Sequence, residues 1–281
     1  MAETIEQVRE RVRKAQKNYK MNTSLLEDVL LQERGYVTRI PRGEDVVVLY
    51  SGGLDSTVMI DMLIKEWDVK VHPLYVKRGA RAEKQEEKAV DYYYDYYKQK
   101  YPSNIGELAK INYQVPPEEF KKDFPPELAK TQGHPLRNST LQNLAVMYCV
   151  SIDGKYNKQG KSRKVRTIIS GSIGEDGTEP ELGLLSLRSQ TLNTCIQMGD
   201  WEWQIVSPFT DTIIRDKPLY KKDLIKYAAA NNIPLEYTRT CFSADEEADG
   251  SCFACQKRLK AFEEAGVKDP VKYKRGDDHE Q

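Results

Sequence analysis

Over the first 43 residues, apolar side chains recur at helical spacing, with Ile5, Val8, Val12, Ala15 and Tyr19 on one face. Ser24, with Glu27 three residues later, reads as a capping box opening a second helix whose apolar face is Leu25, Leu26, Val29 and Leu30. Residues 1–43 are therefore expected to form a helical extension, packed on the main domain or on a second subunit, with a recognition arm as the alternative reading. From Asp45 the period changes. Val46-Val47-Val48-Leu49-Tyr50 is a continuous apolar run, as a strand buried on both faces requires. An apolar helix follows through Val58, Met59, Ile60, Met62 and Leu63. Further strands are predicted near Val69–Val76, Ile111–Val115, Thr167–Ser170 and Gln204–Val206. A helix over 139–152 places Leu141, Leu144, Ala145, Tyr148 and Cys149 on one face. Strands alternating with helices predict an α/β protein with a doubly wound, five-stranded parallel sheet and its site at the C-terminal strand ends, near the topological switch point. The segment from Lys274 to Gln281 has no apolar side chain and is expected to fray.

Length and composition then bound the class. The 281 residues suit one large or two modest domains, and 43 basic against 43 acidic residues give a formal net charge of zero. No apolar run of about 18 residues exists to span a membrane. Charges at the N-terminus, Met-Ala-Glu-Thr-Ile-Glu-Gln, argue against a signal peptide and for a cytoplasmic protein. The charge balance speaks against a broad nucleic-acid surface but leaves room for a local one. Such a patch is Lys155, Lys158, Lys161, Arg163, Lys164 and Arg166 in a loop predicted over 153–166, read either as a solvated loop or as a contact for an acidic macromolecule. The tyrosines at 92, 93, 94, 96, 97 and 101 carry a base-stacking reading. Ala89, Tyr93, Tyr96 and Tyr97 share a helical face, however, which favours packing on the sheet or at a dimer contact.

Chemistry concentrates where the first strand becomes a helix. In Ser51-Gly52-Gly53-Leu54-Asp55-Ser56-Thr57 the glycines permit a tight turn, and backbone N–H groups at a helix start suit anions. Ser51, Ser56 and Thr57 add hydroxyl donors. Asp55 would repel an unescorted phosphate, and a Mg²⁺ bridge between the two resolves the repulsion. The string resembles the SGGxDS pyrophosphate loop of the ATP pyrophosphatases, which cleave ATP between the α and β phosphates and adenylate an oxygen of their substrate.

Further segments narrow the resemblance, which covers roughly residues 44–273. Cys252-x-x-Cys255-x-x-Arg258-x-x-Ala261-Phe262, followed by Gly266, Asp269-Pro270 and Tyr273 and preceded by Thr240-Cys241, resembles the C-terminal signature of QueC, the 7-cyano-7-deazaguanine synthase family. Pro135-x-Arg137-Asn138 resembles its PxRN segment, Gly79 and Arg81 part of its GQRH segment, Gly171 and Asp176 its G-x-x-x-x-D segment, and Pro208 and Lys221 its PL…K segment. The resemblance implies an adenine nucleotide alpha-hydrolase-like core over 44–232 and a small Cys-cluster segment over 233–281. It also implies ATP and Mg²⁺ as cofactors, a homodimer, and adenylation of the carboxylate of 7-carboxy-7-deazaguanine. Ammonia then gives an amide, which a second activation dehydrates to the nitrile. By the same resemblance Asp55, Lys221, Arg81 and Arg137 are catalytic; Ser51, Gly52, Gly53, Leu54, Asp55, Ser56, Thr57 and Gly171 bind the nucleotide; and Arg137, Asn138, Asp176 and Glu181 meet the substrate. For Arg137 and Asn138 a helix-capping network, and for Lys221 a solvated lysine, stand as alternatives.

The sequence also departs from that family. Gln-Arg-His becomes Ala80-Arg81-Ala82, and an Asp-Cys-Arg segment is replaced by Glu179-Pro180-Glu181-Leu182-Gly183-Leu184, where Glu181 or Glu179 offers a carboxylate to a guanine-like edge. QueC-like proteins also occur in anti-phage operons, including type IV CBASS, where a protein amine is the acceptor. Ammonia and a protein amine both stay open. A tRNA-modifying pyrophosphatase of the lysidine synthetase or thiolase type, and a nucleotide-binding module without chemistry, are the rivals.

Five cysteines are too few for a disulfide scaffold of this size, and three of them crowd one segment, which suggests metal binding or redox chemistry before disulfides. QueC proteins hold zinc with a leading Cys and then CxxCxxC. Cys241, Cys252 and Cys255 match three of these, and Asp249 stands where the fourth belongs. A Cys₃Asp zinc shell is the expectation; a water, Asp245 or Glu246 in the fourth place, or an empty site, are the alternatives. Cys149 and Cys195 are expected in the core.

Overall fold

The computed structural model describes residues 7, 19–124, 134–177 and 180–274. Helix α1 spans Tyr19–Arg34, followed by β1 (Asp45–Leu49), α2 (Leu54–Trp67), β2 (Lys70–Lys77), α3 (Glu83–Lys100), β3 (Ala109–Asn112) and the single turn α4 (Glu118–Lys121). The long helix α5 covers Arg137–Lys158, then come β4 (Thr167–Ile169), a 3₁₀ turn (Gly174–Asp176), α6 (Leu184–Met198), β5 (Gln204–Val206), α7 (Lys221–Ala230) and α8 (Phe253–Ala265).

The five strands are parallel in the order β3-β2-β1-β4-β5, with Val46 opposite Val71 on one side and Val47 opposite Ile168 on the other. Alternation along β1 sorts its side chains between two cores. Val46 and Val48 join Val58, Leu63, Tyr93, Tyr97 and Leu224 on the face covered by α2, α3 and α7. Val47 joins Ala145, Cys149, Leu187 and Cys195 on the face covered by α5 and α6. Both predicted core cysteines are thus buried, and so are Ala89, Tyr93 and Tyr97, which makes the tyrosine helix a packing element on the sheet. The strand order reverses between β1 and β4, which sets a crevice at their C-terminal ends.

Three predicted elements shift. The capping-box signal at Ser24 opens no helix, because α1 runs continuously from Tyr19 through it. The face α1 turns inward is Thr23, Glu27, Leu30 and Arg34, whereas Leu25 and Val29 are exposed. Polar bonds select that face. Arg188 Nε donates to Glu27, and Arg34 donates to the carbonyls of Trp201, Trp203 and Val37. The third strand begins at Ala109, two residues before its predicted start, because its ladder with β2 starts at Leu74. Helix α5 extends beyond 139–152 at both ends, so Lys155 and Lys158 belong to its last turn. Most of the first predicted helix, Glu179 and residues 275–281 lie outside the described residues.

At the N-terminal edge of the sheet, Asp45 is buried, accepts from His72 Nε2 (2.8 Å) and from the Tyr156 hydroxyl, and forms an ion pair with Arg163 (2.9 Å). Arg166 pairs with Asp153 and Asp200 and lies over the Trp203 ring, and Lys155 pairs with Glu107. Lys155, Arg163 and Arg166 of the basic stretch are therefore ion-paired within the chain. Among the described residues, no helix is long and apolar enough to cross a membrane.

Candidate active site and metal centre

The phosphate-type loop sits at the C-terminal end of β1. Gly52 has φ +67°, and a Cβ there would stand 2.7 Å from the Val90 backbone nitrogen and 2.9 Å from the Ala89 Cβ, so the loop can lie against α3 only with glycine at this position. Ser51 Oγ and Ser56 Oγ stand 3.3 Å apart, and Ser56 Oγ donates to the Gly53 carbonyl. Helix α2 starts at Leu54 with Gly53 as an extended cap that supplies no side-chain partner, the kind of helix start whose N–H groups suit an anion. Leu54 and Thr57 face inward instead. Leu54 belongs to the core, and the fully buried Thr57 accepts at its carbonyl oxygen from the Tyr97 hydroxyl.

Asp55 leans across the crevice mouth to Lys221, the first residue of α7, whose Nζ lies 2.7 and 2.9 Å from the two carboxylate oxygens. The lysine is held from below, since its backbone N–H donates to Glu175 at 2.9 Å. Asp176, in the same 3₁₀ turn, accepts from the Ile173 N–H at 3.1 Å. Burial, joined by the nearby charge of Asp55, pushes the Asp176 carboxyl above its ordinary range. Gly171 follows β4 on the other lip.

The start of α5 supplies the opposite wall. Asn138 Nδ2 donates to Glu181 Oε2 at 3.0 Å, and the Asn138 backbone N–H aims at the same oxygen. The PxRN-like segment and Glu181, each expected to meet the substrate, are therefore in contact with one another. Arg137 is half-buried; burial lowers its affinity for a proton, as does Arg78, while Glu181 and Glu86 oppose. Arg81 is exposed in the turn before α3. The arginine anchored beside β2 is Arg78, gripped by both oxygens of Glu86 at 2.8 and 2.9 Å, which sequence reasoning missed because Arg81 carried the motif. Glu175 was missed too; an acid beside a helix start is the only signal that marks it.

The lobe beyond residue 233 clasps the loop. The Arg239 backbone N–H donates to the Gly52 carbonyl at 3.1 Å, and a Cβ at Gly53 would meet the Arg239 carbonyl at 3.3 Å. The Arg239 guanidinium donates to the carbonyls of Cys241, Ser243, Asp245 and Glu246 and so shapes the chain that carries the cysteines. Beneath them Arg258, 1% exposed, is bidentate to Asp269 at 2.8 and 2.9 Å and donates to Thr238. The ligand atoms of Cys241, Asp249, Cys252 and Cys255 lie within 4.8 Å of one another. A tetrahedral shell with Zn–S of about 2.3 Å spaces its sulfurs by about 3.8 Å, so the set fits a metal after a small contraction. Asp249 Oδ1 accepts from Ser251 N (2.7 Å) and Cys252 N (2.8 Å), which aims the carboxylate at the thiols. Ser243 and Asp249 donate backbone N–H groups to Cys241 Sγ, each at 3.4 Å, the kind of outer contact that orients a thiolate ligand. Asp245 is drawn off to Lys274 and Glu246 to Lys88, so neither competes with Asp249. A cavity of about 500 Å³ opens between α3 and this lobe, lined by Lys88, Tyr92, Tyr237, Cys241 and Tyr273, and includes neither Asp55 nor Lys221.

Comparison with known proteins agrees with this arrangement. The model of the family described as queuosine biosynthesis protein QueC matches residues 186–266. The 7-cyano-7-deazaguanine synthase of Acetivibrio thermocellus is 30% identical over 233 residues, covering 81% of this chain and 96% of that protein. The enzyme of the same name from Pseudoalteromonas atlantica is 27% identical over 245 residues, covering 82% and 99%. Among solved structures, the NH₃-dependent NAD synthetase of Campylobacter jejuni aligns with a TM-score of 0.33 and 13% identity, over 89% of this chain and 84% of that one. With the loop, the crevice and the cysteine lobe in place and a relative matched over nearly its whole length, the chain belongs to the QueC family of 7-cyano-7-deazaguanine synthases.

Proposed function

We propose that this protein consumes ATP to adenylate the carboxylate of 7-carboxy-7-deazaguanine, or of a close relative, and passes the acyl group to a nitrogen nucleophile. The observation that carries the reading is the Asp55–Lys221 pair at the mouth of a phosphate-type loop, at the point where the strand order reverses. A carboxylate oxygen of the substrate attacks the α-phosphorus and pyrophosphate leaves. The amine nitrogen then attacks the acyl carbon, AMP leaves with the bonding pair, the nitrogen gives up a proton to solvent, and an amide remains. Ser51, Ser56 and the N–H groups of the loop hold the departing pyrophosphate, and Lys221 meets charge developing at the phosphates. Asp55 would hold Mg²⁺, which supplies charge neutralisation for the pyrophosphate when bound. Cys241, Asp249, Cys252 and Cys255 would hold zinc in a structural role.

The acceptor is ammonia or a protein amine. Support for a changed acceptor or substrate edge comes from the apolar stretch Leu182-Gly183-Leu184 behind Glu181. Leaving nucleic acid out of the reading is supported by the internal pairing of Lys155, Arg163 and Arg166. A homodimer completes the proposal, and light scattering tests it. The decisive experiment is mass spectrometry of products from ATP, Mg²⁺ and 7-carboxy-7-deazaguanine, with and without ammonium. A nitrile supports the ammonia route, an amide or adenylate alone supports transfer to another amine, and unchanged acid overturns the proposal.

A further inference from the structure

The inward stripe of α5 is apolar through Ala145, Val146, Cys149 and Ile152, yet it opens with Gln142. Gln142 is 1% exposed, and among the described residues neither its Oε1 nor its Nε2 has a hydrogen-bond partner. An amide buried in this way is costly, and native structures keep few of them. Its neighbour shows the contrast. Asn143 accepts from Gln190 at 2.7 Å and so completes the seam between α5 and α6.

The position of Gln142 along the sheet follows from helix and strand geometry. Tyr156, at the far end of the same stripe, bonds Asp45 at the start of β1. Fourteen residues separate Gln142 from Tyr156, about 21 Å of helical rise. About six strand residues cover that length, which brings Gln142 level with Ser51 of the loop. Helix α5 packs on β1 and β4, the two strands that border the crevice. Asn138, one turn nearer the mouth on the same side of the helix, is the residue that holds Glu181. The orphaned amide is therefore buried under α5 at the level of the loop, at the crevice end of β1 and β4.

We infer that Gln142 is a specificity-determining residue whose carboxamide receives a heterocycle edge with neighbouring donor and acceptor. A carboxamide offers one acceptor beside two donors, which matches the amino-and-nitrogen edge of adenine and the N–H-and-carbonyl edge of a deazaguanine lactam alike. The inference rests on the proposed function, and those two rings are its two sources.

The test is calorimetric binding of 7-carboxy-7-deazaguanine and of α,β-methylene-ATP to the full-length protein and to Gln142→Leu. Without ligand, Gln142→Leu should melt above the wild type, since the unpaired amide is gone. It should bind one of the two ligands about 10- to 100-fold more weakly, the loss of a bidentate pair. Weakening toward the acid alone assigns the lactam edge, and weakening toward the analogue alone assigns adenine. Binding of both within about twofold of wild type overturns the inference, and equal weakening of both does so as well, because it reports a cleft disturbed as a whole. If Gln142→Leu does not fold, Gln142→Glu keeps the shape, removes the donors and must show the same one-sided loss. A wild type that binds neither ligand overturns the proposed function and this inference with it, whereas a wild type that binds both, joined with an indifferent variant, overturns this inference alone.

Discussion

Lys221 Nζ contacts both carboxylate oxygens of Asp55 across a sequence separation of 166 residues, and it is the bond that closes α7 over the phosphate-type loop. The side chains are 13% and 27% exposed, so the pair is accessible to a ligand without being fully hydrated. Replacing Lys221 by Ala should lower AMP formation by about 10²- to 10³-fold, the scale on which preorganised charge at a developing anion contributes. Asp55→Ala should lose as much, and the double variant little more, because the two act on one phosphate site. Pyrophosphate release followed in all three checks this, with circular dichroism confirming the fold.

The metal prediction turns on Asp249. Asp249→Ala should weaken zinc retention by about 10- to 100-fold, and Asp249→Cys should tighten it. Competition with a chromophoric chelator measures both. Wild-type retention in the alanine variant would remove Asp249 from the ligand shell.

The ion pair of Arg188 with Asp211 is buried on both sides, at 2.7 and 3.0 Å, and Arg188 also binds Glu27 of α1. Asp211→Ala leaves the buried guanidinium with Glu27 as its one remaining carboxylate partner and should cost about 3 kcal/mol. Urea unfolding reads it directly. Glu27→Gln, at the rim of the same network, should cost far less.

Acid should destabilise the protein through Asp61 and Asp45. Burial disfavours the Asp61 carboxylate, but Lys100 at 2.8 Å and the hydroxyls of Tyr101 and Tyr227 outweigh it, and the group is held below its usual range. Asp45 is lowered as well, with burial again opposed, here by His72, Tyr156 and Arg163. A carboxyl lowered on folding contributes stability that is complete above its unfolded value of about 3.9 and is lost as the pH falls through the folded value. Melting temperature should therefore fall steeply below about pH 4 through these groups, and Asp61→Asn should flatten that limb.

Gly52→Ala should be among the worst single changes in the loop. The positive φ and the 2.7 Å approach to the Val90 nitrogen leave no place for a methyl group, so both stability and nucleotide affinity should drop. Thermal melting with and without ATP separates the two losses.

The first strand of the sheet was readable because parallel strands buried on both faces appear as unbroken apolar runs, so Val46–Tyr50 stood out. Helix α1 was not, because its inward face is chosen by Glu27 and Arg34 bonding to distant segments, which no periodicity of apolar residues can display. At the site, motifs drew attention to Asp55, Asn138 and the four clustered ligand candidates, whereas Glu181 stands in a stretch that departs from the family pattern. Arg78, Glu175 and Arg239 were not legible: each acts by holding a neighbour through backbone or carboxylate bonds that exist only after folding.

The clasp between Arg239 and Gly52 has a consequence for anyone recombining this protein with a relative. The lobe shares backbone hydrogen bonding with the phosphate-type loop, so a chimera that exchanges one without the other inherits a seam at the candidate site. Crossovers should keep residues 51–57 and 236–274 from the same parent, which makes these two distant stretches a single unit of inheritance.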